Sequence, residues 1–252
     1  MTSANTKEVT LPSRGMFYDG AVPGGVISIR KWTVPELAML ANQSIKMAEK
    51  LRKIIDSCTI LPPNFKASSL LITDRFALML YQREFSLGTS LYKFDYRCKY
   101  CSNVIRGHVC DVAQEFDETL SPEGSVEPIV ATLPDAGVSV GLRLLRGIDE
   151  SEIAAVSSRM TLQSNDHADP SMIVRMCHSL VSVDGAELKF IEKERFVRSL
   201  TVRDSLAMSN AIDAVEPGIK TELHPSCRMC GAENEIDMME VLSGEFFRPT
   251  VV

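Results

Sequence analysis

Apolar positions along this chain change period several times, and each change marks an element. Val26-Ile27-Ser28-Ile29-Arg30 alternates after the turn residues Pro23-Gly24-Gly25, which predicts a short strand. Thr33-Val34-Pro35-Glu36 is a capping box, hydroxyl to the N3 amide and carboxylate back to the cap, with proline tolerated in the first turn. Behind it Leu37, Leu40, Ala41, Ile45, Ala48, Leu51 and Ile55 share one helical face, predicting a helix to about Ser57. Leu61-Pro62-Pro63-Asn64 ends that pattern. A second helix over 68–87 is apolar on more than one side (Leu71, Ile72, Phe76, Leu78, Met79, Leu80), which predicts a central position, and Gly88 closes it. Tyr92, Phe94 and Tyr96 then alternate, and Val104, Val109 and Val112 continue the pattern as a hairpin. Segments 125–133 and 138–145 read as two further strands around Pro134-Asp135-Ala136-Gly137.

From residue 149 the period becomes helical. Asp149-Glu150-Ser151-Glu152 caps a helix, with Ile148 placed to pack on Ile153. After the polar loop 164–169, Pro170 opens a helix carrying Met172, Ile173, Met176, Cys177 and Leu180. Asp184-Gly185 is a tight turn. Helices are expected over 191–199 and 202–215, the latter stopped by Pro217-Gly218, after which Ile219, Thr221 and Leu223 form a strand. The fold class is therefore α+β. The expected divisions are an extended arm and strand over 1–30, a helical region over 31–88, and a β module over 89–148 and 219–241. A helical insert over 149–218 and a C-terminal arm over 242–252 complete the chain.

Two turns in the β module carry the chemistry, Cys98-Lys99-Tyr100-Cys101 and Cys227-Arg228-Met229-Cys230. Each brings two sulfurs together, and two such turns supply the four thiolates of a tetrahedral structural Zn²⁺. Ordinary four-cysteine sites leave ~15–20 residues between turns, whereas about 125 intervene here. The reading is that Cys98, Cys101, Cys227 and Cys230 converge on one ion and that the intervening chain is a closed excursion. A local site of Cys98, Cys101, His108 and Cys110 is the rival, and it would leave the second pair with His224 as a half-site. Four thiolates leave no open position for water or substrate, so the metal is expected to be structural.

Composition narrows the alternatives. The 252 residues are 45% apolar and 24% charged with net charge −6, which disfavours a dedicated nucleic-acid binder. Seven cysteines, an odd number, suit a reducing compartment and a metal better than a disulfide framework. Cys58 and Cys177 fall on apolar helical faces and read as core. No apolar run is long enough for a membrane span, and the polar start is no secretory signal. His167 sits in a polar turn, and His178 cannot face Cys177 from the adjacent helical position, so neither makes a catalytic pair. No hydrolase, zincin or dinucleotide motif is present, and no enzymatic activity is expected. Lys93, Arg97, Lys99, Arg106 and Arg228 make the metal region locally basic, so a zinc-ribbon nucleic-acid adaptor is the rival function.

Both ends carry aromatic segments, Leu11-Pro12-Ser13-Arg14-Gly15-Met16-Phe17-Tyr18 and Phe246-Phe247-Arg248-Pro249. With the first cysteine turn after its aromatic strand and the strand 219–231 entering the second, they make the chain resemble the T4-type bacteriophage baseplate proteins, the hub or hub-assembly family of contractile tails. The resemblance implies a non-enzymatic virion protein of the tail baseplate, assembled in the host cytoplasm within a multi-subunit complex. Its partners would be other phage baseplate and tail proteins. The adhesive ends give Leu11, Pro12, Arg14, Phe17, Tyr18, Phe246, Phe247 and Arg248 as partner-binding residues, with binding carried by buried aromatics rather than charge.

Overall fold

The computed structural model describes residues 5–163 and 170–237. Strand β1 (Thr6–Thr10) pairs antiparallel with β2 (Val26–Arg30), Thr6 facing Arg30 and Thr10 facing Val26. Helices α1 (Val34–Ala41) and α2 (Met47–Cys58) follow, and β3 (Thr59–Ile60) completes a three-stranded sheet by pairing with β2. One continuous helix was expected to reach Ser57. It breaks at Asn42, whose backbone turns extended and whose side-chain oxygen accepts the Ser44 N–H at 2.9 Å. A short amide side chain competing for local backbone groups is the physical cause. Buried Lys50 then donates to the Leu40 carbonyl at 2.8 Å, satisfying the end of α1 from the next helix.

The capping box forms as expected. The Glu36 carboxylate accepts from the Thr33 N–H (2.7 Å) and hydroxyl (2.6 Å) and pairs with Arg30 at 2.7 Å. The Arg30 hydrogen bond, helped by the Thr33 donors against the cost of burial, holds this carboxyl at about 2. A depressed pKa contributes stability that is fully present above the unfolded value of 4.5 and is lost as pH falls toward 2. Glu36→Gln is therefore expected to cost roughly 2–3 kcal/mol at pH 7 and almost nothing below pH 2.5. Urea unfolding of both proteins across that range checks it, and a pH-independent deficit would refute the linkage.

Helix α3 (Ile72–Leu87) is central, with Ala77, Leu78, Met79 and Leu80 buried, and Gly88 caps it in the left-handed conformation. It also buries Asp74, Arg75, Gln82 and Arg83. Arg83 reaches the carbonyls of Thr89 (3.3 Å) and Leu91 (3.0 Å), tying the helix end to the strand that follows. Asp74 ties it to the N-terminus, accepting from the Ser13 N–H at 3.0 Å and from the Tyr18 hydroxyl. That hydroxyl in turn accepts the Leu71 N–H at 2.9 Å.

Strands β4 (Leu91–Arg97) and β5 (Val104–Asp111) form the aromatic hairpin, with Tyr92, Phe94 and Tyr96 facing the core. Helix α4 (Val112–Glu115) and β6 (Asp117–Thr119) lead on to β7 (Ile129–Thr132) and β8 (Ser139–Leu142). Helices α5 (Gly147–Gln163) and α6 (Ser171–Ser179) are followed by β9 (Leu180–Val183) and β10 (Ala186–Glu187). Then come α7 (Phe190–Ser199), α8 (Val202–Asp213), β11 (Gly218–Lys220), β12 (Glu222–Leu223) and β13 (Ile236–Asp237).

β7 and β8 join β9 and β10 in a four-stranded antiparallel sheet of order β10-β9-β8-β7, so 129–142 pair with strands of the segment 149–218. Leu180 sits at helical spacing from Cys177 but turns extended there, because fully buried Leu180 pairs across from Leu142, also fully buried. The expected strand 219–223 also divides. β11 pairs with β6 and β12 with β13. The main core nevertheless draws on residues from Val9 to Cys227, Cys98 and Cys227 among them, beside a smaller cluster of Leu145, Ile153 and Val174.

Candidate metal centre

Both cysteine turns are built on the same backbone plan. In the first, the Cys98 N–H donates to the Asn103 carbonyl and the Ser102 N–H to the Cys98 carbonyl, both at 2.9 Å. In the second, the Cys227 N–H donates to the Ala232 carbonyl and the Gly231 N–H to the Cys227 carbonyl, both at 2.8 Å. The residue after each second cysteine is left-handed, Ser102 at φ 59° and Gly231 at φ 75°. That conformation needs glycine or a small polar residue, which is why the sequence carries serine and glycine there.

The turns meet face to face. Cys98 Sγ lies 3.8 Å from Cys230 Sγ, and Cys101 Sγ lies 3.7 Å from Cys227 Sγ. All four sulfurs fall within 4.8 Å of one another. A tetrahedron with metal–sulfur bonds of about 2.3 Å has sulfur–sulfur edges of about 3.8 Å, whereas a disulfide would bring the atoms to about 2.05 Å. The spacing fits a four-thiolate metal centre, and all four cysteines are free.

Local electrostatics favour thiolate on the first turn. The Cys101 and Tyr100 backbone amides and the Asn234 amide pull the Cys98 thiol down to about 6. Cys101 is lowered by the Asn103 backbone and side-chain amides, and Asn103 Nδ2 approaches its sulfur at 3.4 Å. The Ala232 amide works in the same direction on Cys230, yet burial and the three neighbouring sulfurs together push that thiol up to about 12. Four crowded sulfurs resist ionising together until a cation joins them.

Asn234 is the residue that sequence reasoning missed. Almost fully buried, it accepts the Lys99 N–H at 3.0 Å, donates to the Ala232 carbonyl at 3.1 Å, and bonds through its own N–H to the Pro225 carbonyl. One side chain thus joins the two turns across 135 positions of sequence. Nothing local marks it among the polar residues 233–235.

The rival local site does not form. His108 packs its ring edge-on against Phe94 and Tyr96 at 5.3 and 5.6 Å, and Cys110 is buried on the hairpin's core face. Burial pushes the Cys110 thiol up to about 12, the behaviour of a core thiol. In a second group of possible ligands, Asp149, Glu152 and His178, the Asp149 carboxylate is already engaged. Arg143 binds both Asp149 oxygens at 2.7 and 2.8 Å, and the Arg146 N–H adds a third bond at 2.7 Å.

The described residues thus form an α+β fold in which two turns far apart in sequence meet at a sulfur cluster. A family model described as T4 bacteriophage base plate protein matches residues 4–248, nearly the whole chain. The chain belongs to the T4 baseplate protein family. No curated protein and no solved structure matches it. Membership makes it a phage baseplate structural protein and a component of the virion tail, with other phage tail proteins as partners. No described helix of this baseplate protein is long and apolar enough to cross a membrane.

The residues expected to bind partners fall in different places. Leu11, Pro12, Phe17 and Tyr18, expected to bind a partner, are buried within this baseplate protein's own fold. The turn that folds them in depends on Gly15, at φ 79°, where a Cβ would lie 2.0 Å from the Val22 carbonyl oxygen. Arg14 of that set is exposed and pairs with Glu118 at 3.3 Å. Phe246, Phe247, Arg248 and His167 lie outside the described residues. Of the basic residues near the sulfurs, Lys99 pairs with Glu235 at 3.7 Å and Arg97 caps the Ser102 carbonyl at 2.8 Å.

Proposed function

We propose that this protein acts in the hub region of a contractile-tail baseplate, as a part of the hub or as a factor in its assembly in the host cytoplasm. It works through protein–protein contacts and not by catalysis, with Zn²⁺ held by Cys98, Cys101, Cys227 and Cys230. The observation that carries the metal assignment is the sulfur–sulfur spacing of 3.7 and 3.8 Å between turns more than 120 positions apart in sequence. Thiolate donors suit zinc, and a closed four-sulfur shell gives a purely structural ion.

Zinc in this position stabilises the joint between the aromatic hairpin and the C-terminal hairpin. It also fixes the turn tips, where Tyr100 (65% exposed) and Met229 (68% exposed) project into solvent. Large apolar side chains held rigid at a surface are the material of docking contacts with other baseplate subunits. Lys99 and Arg228 flank them, and the same tips are where the zinc-ribbon nucleic-acid reading would place its contacts.

Two measurements test the proposal. Elemental analysis of full-length protein is expected to find one zinc per chain, and less than about a tenth of an equivalent would overturn the metal assignment. Co-purification with hub proteins of the same phage is expected to persist from 50 to 300 mM salt and to weaken in Tyr100→Ser/Met229→Ser. Failure to associate with any hub protein would refute the hub role. Salt-steep binding to DNA or RNA would point to the adaptor instead.

A further inference from the structure

An apolar groove of about 990 Å³ opens over α3 between α2 and β11, with the first turns of α5 at its side. α3 touches both flanking elements and forms the floor. The lining has helical spacing. Met47, Leu51 and Ile55 recur every four positions on α2, and Ile72, Phe76 and Met79 recur at four and three on α3. Two such rows side by side are the ridges between which a third helix packs. Met47 to Ile55 covers about 12 Å of helix axis, enough to seat just over two turns of a partner helix. Leu51, Ile72 and Phe76 are left half-buried along this face.

The two walls carry unpaired charge of opposite sign. Along α2, Lys53 holds Glu49 at 2.8 Å, while Lys46 and Arg52 form no ion pair among the described residues. On the far wall the Asp213 and Glu216 carboxylates have no hydrogen bond or ion pair among the described residues, and they outnumber Lys220 there. Burial and the neighbouring Asp213 raise Glu216 above the ordinary carboxylate range, against the pull of Arg175. A half-buried carboxylate without a cation is held at a cost that an incoming cation relieves. Nearer the floor the charge is already balanced, since buried Arg75 binds Asp56 at 3.1 Å and Glu150 at 3.5 Å.

We propose that this groove receives an amphipathic helix of another baseplate protein, its apolar face on α3, acidic residues toward Lys46 and Arg52, and lysine or arginine toward Asp213 and Glu216. Apolar burial supplies the affinity, and the opposed charges fix which way round the helix lies. The inference takes from the family only that the chain works among other baseplate proteins. It needs neither the hub placement nor the metal, because no lining residue belongs to a cysteine turn.

Photocross-linking in assembled baseplates tests it, with p-benzoylphenylalanine replacing Leu51 and, separately, the exposed Lys220. The expected product joins each position to one segment of a different baseplate protein. That segment has apolar residues at three- and four-residue spacing, carboxylates on one flank and lysine or arginine on the other. Asp213→Lys/Glu216→Lys, checked for retained melting behaviour, is expected to lower the yield about tenfold. An unchanged yield would refute the charge pairing that selects the partner. Cross-links only to the chain's own segments 164–169 or 238–252 would show the groove filled in cis, and cross-links only to a second copy would make it a self-contact. Either result overturns the proposal, as does a partner segment without that pattern or no product with another baseplate protein.

Discussion

Cys227→Ser is expected to eliminate zinc binding and to lower the free energy of unfolding by about 5 kcal/mol, the largest single effect in the molecule. The magnitude follows from chain closure. Cys101 and Cys227 are 126 positions apart, and a cross-link over a loop of that size removes about 5 kcal/mol of conformational entropy from the unfolded chain. A tetrahedral ion does so without the strained geometry a disulfide would require, and its binding energy is realised only when the fold brings both turns together. Denaturant unfolding of wild type with zinc, wild type with a chelator and the variant checks this. The last two curves should coincide, and a midpoint indifferent to both changes would remove the metal from the fold's stability. Cys110→Ser is the control: it perturbs a buried thiol on the same hairpin and should leave the zinc stoichiometry at one.

Tyr18→Phe should cost about 3–5 kcal/mol although it deletes a single oxygen atom. That oxygen accepts the Leu71 N–H and donates to Asp74 Oδ2, deep in the core, so its loss orphans a buried N–H and leaves the buried carboxylate with only its Ser13 donor. Burial already raises Asp74 above the ordinary carboxylate range, against the opposing hydrogen bonds from Ser13 and Tyr18. A raised pKa means that the folded state takes up a proton more readily than the unfolded chain. The variant's deficit should therefore narrow as pH falls from neutral into the carboxylate range. Asp74→Asn combined with Tyr18→Phe should cost much less than the sum of the two single changes. Full additivity, or a loss under about 1 kcal/mol for Tyr18→Phe, would show that the network is not a coupled unit.

Local chemistry was legible in the sequence wherever a few neighbouring residues settle the conformation. Thr33 and Glu36 specify their own cap, Gly88 its own helix end, and each Cys-x-x-Cys its own turn, because the groups that satisfy one another lie within about five positions. Alternation of Tyr92, Phe94 and Tyr96 likewise announced a strand with one buried face. The meeting of the cysteine turns could be inferred too, since four thiolates form one closed shell more readily than two half-sites. Only the tertiary structure set Cys98 against Cys230 and Cys101 against Cys227, and placed Asn234 between the turns. Leu11 to Tyr18 read as an adhesive arm because an aromatic segment near an end has the same composition whether it meets a partner or its own core. Asp74, 56 positions from Tyr18, draws the segment inward, because a buried carboxylate must find donors and the Tyr18 hydroxyl is one. The same limit hid the pairing of β8 with β9: short strands carry little periodicity, and which two associate depends on the burial of Leu142 against Leu180. The chain alone thus determined its turns and caps, the two cysteine turns among them, while long-range satisfaction of buried groups determined what those elements face.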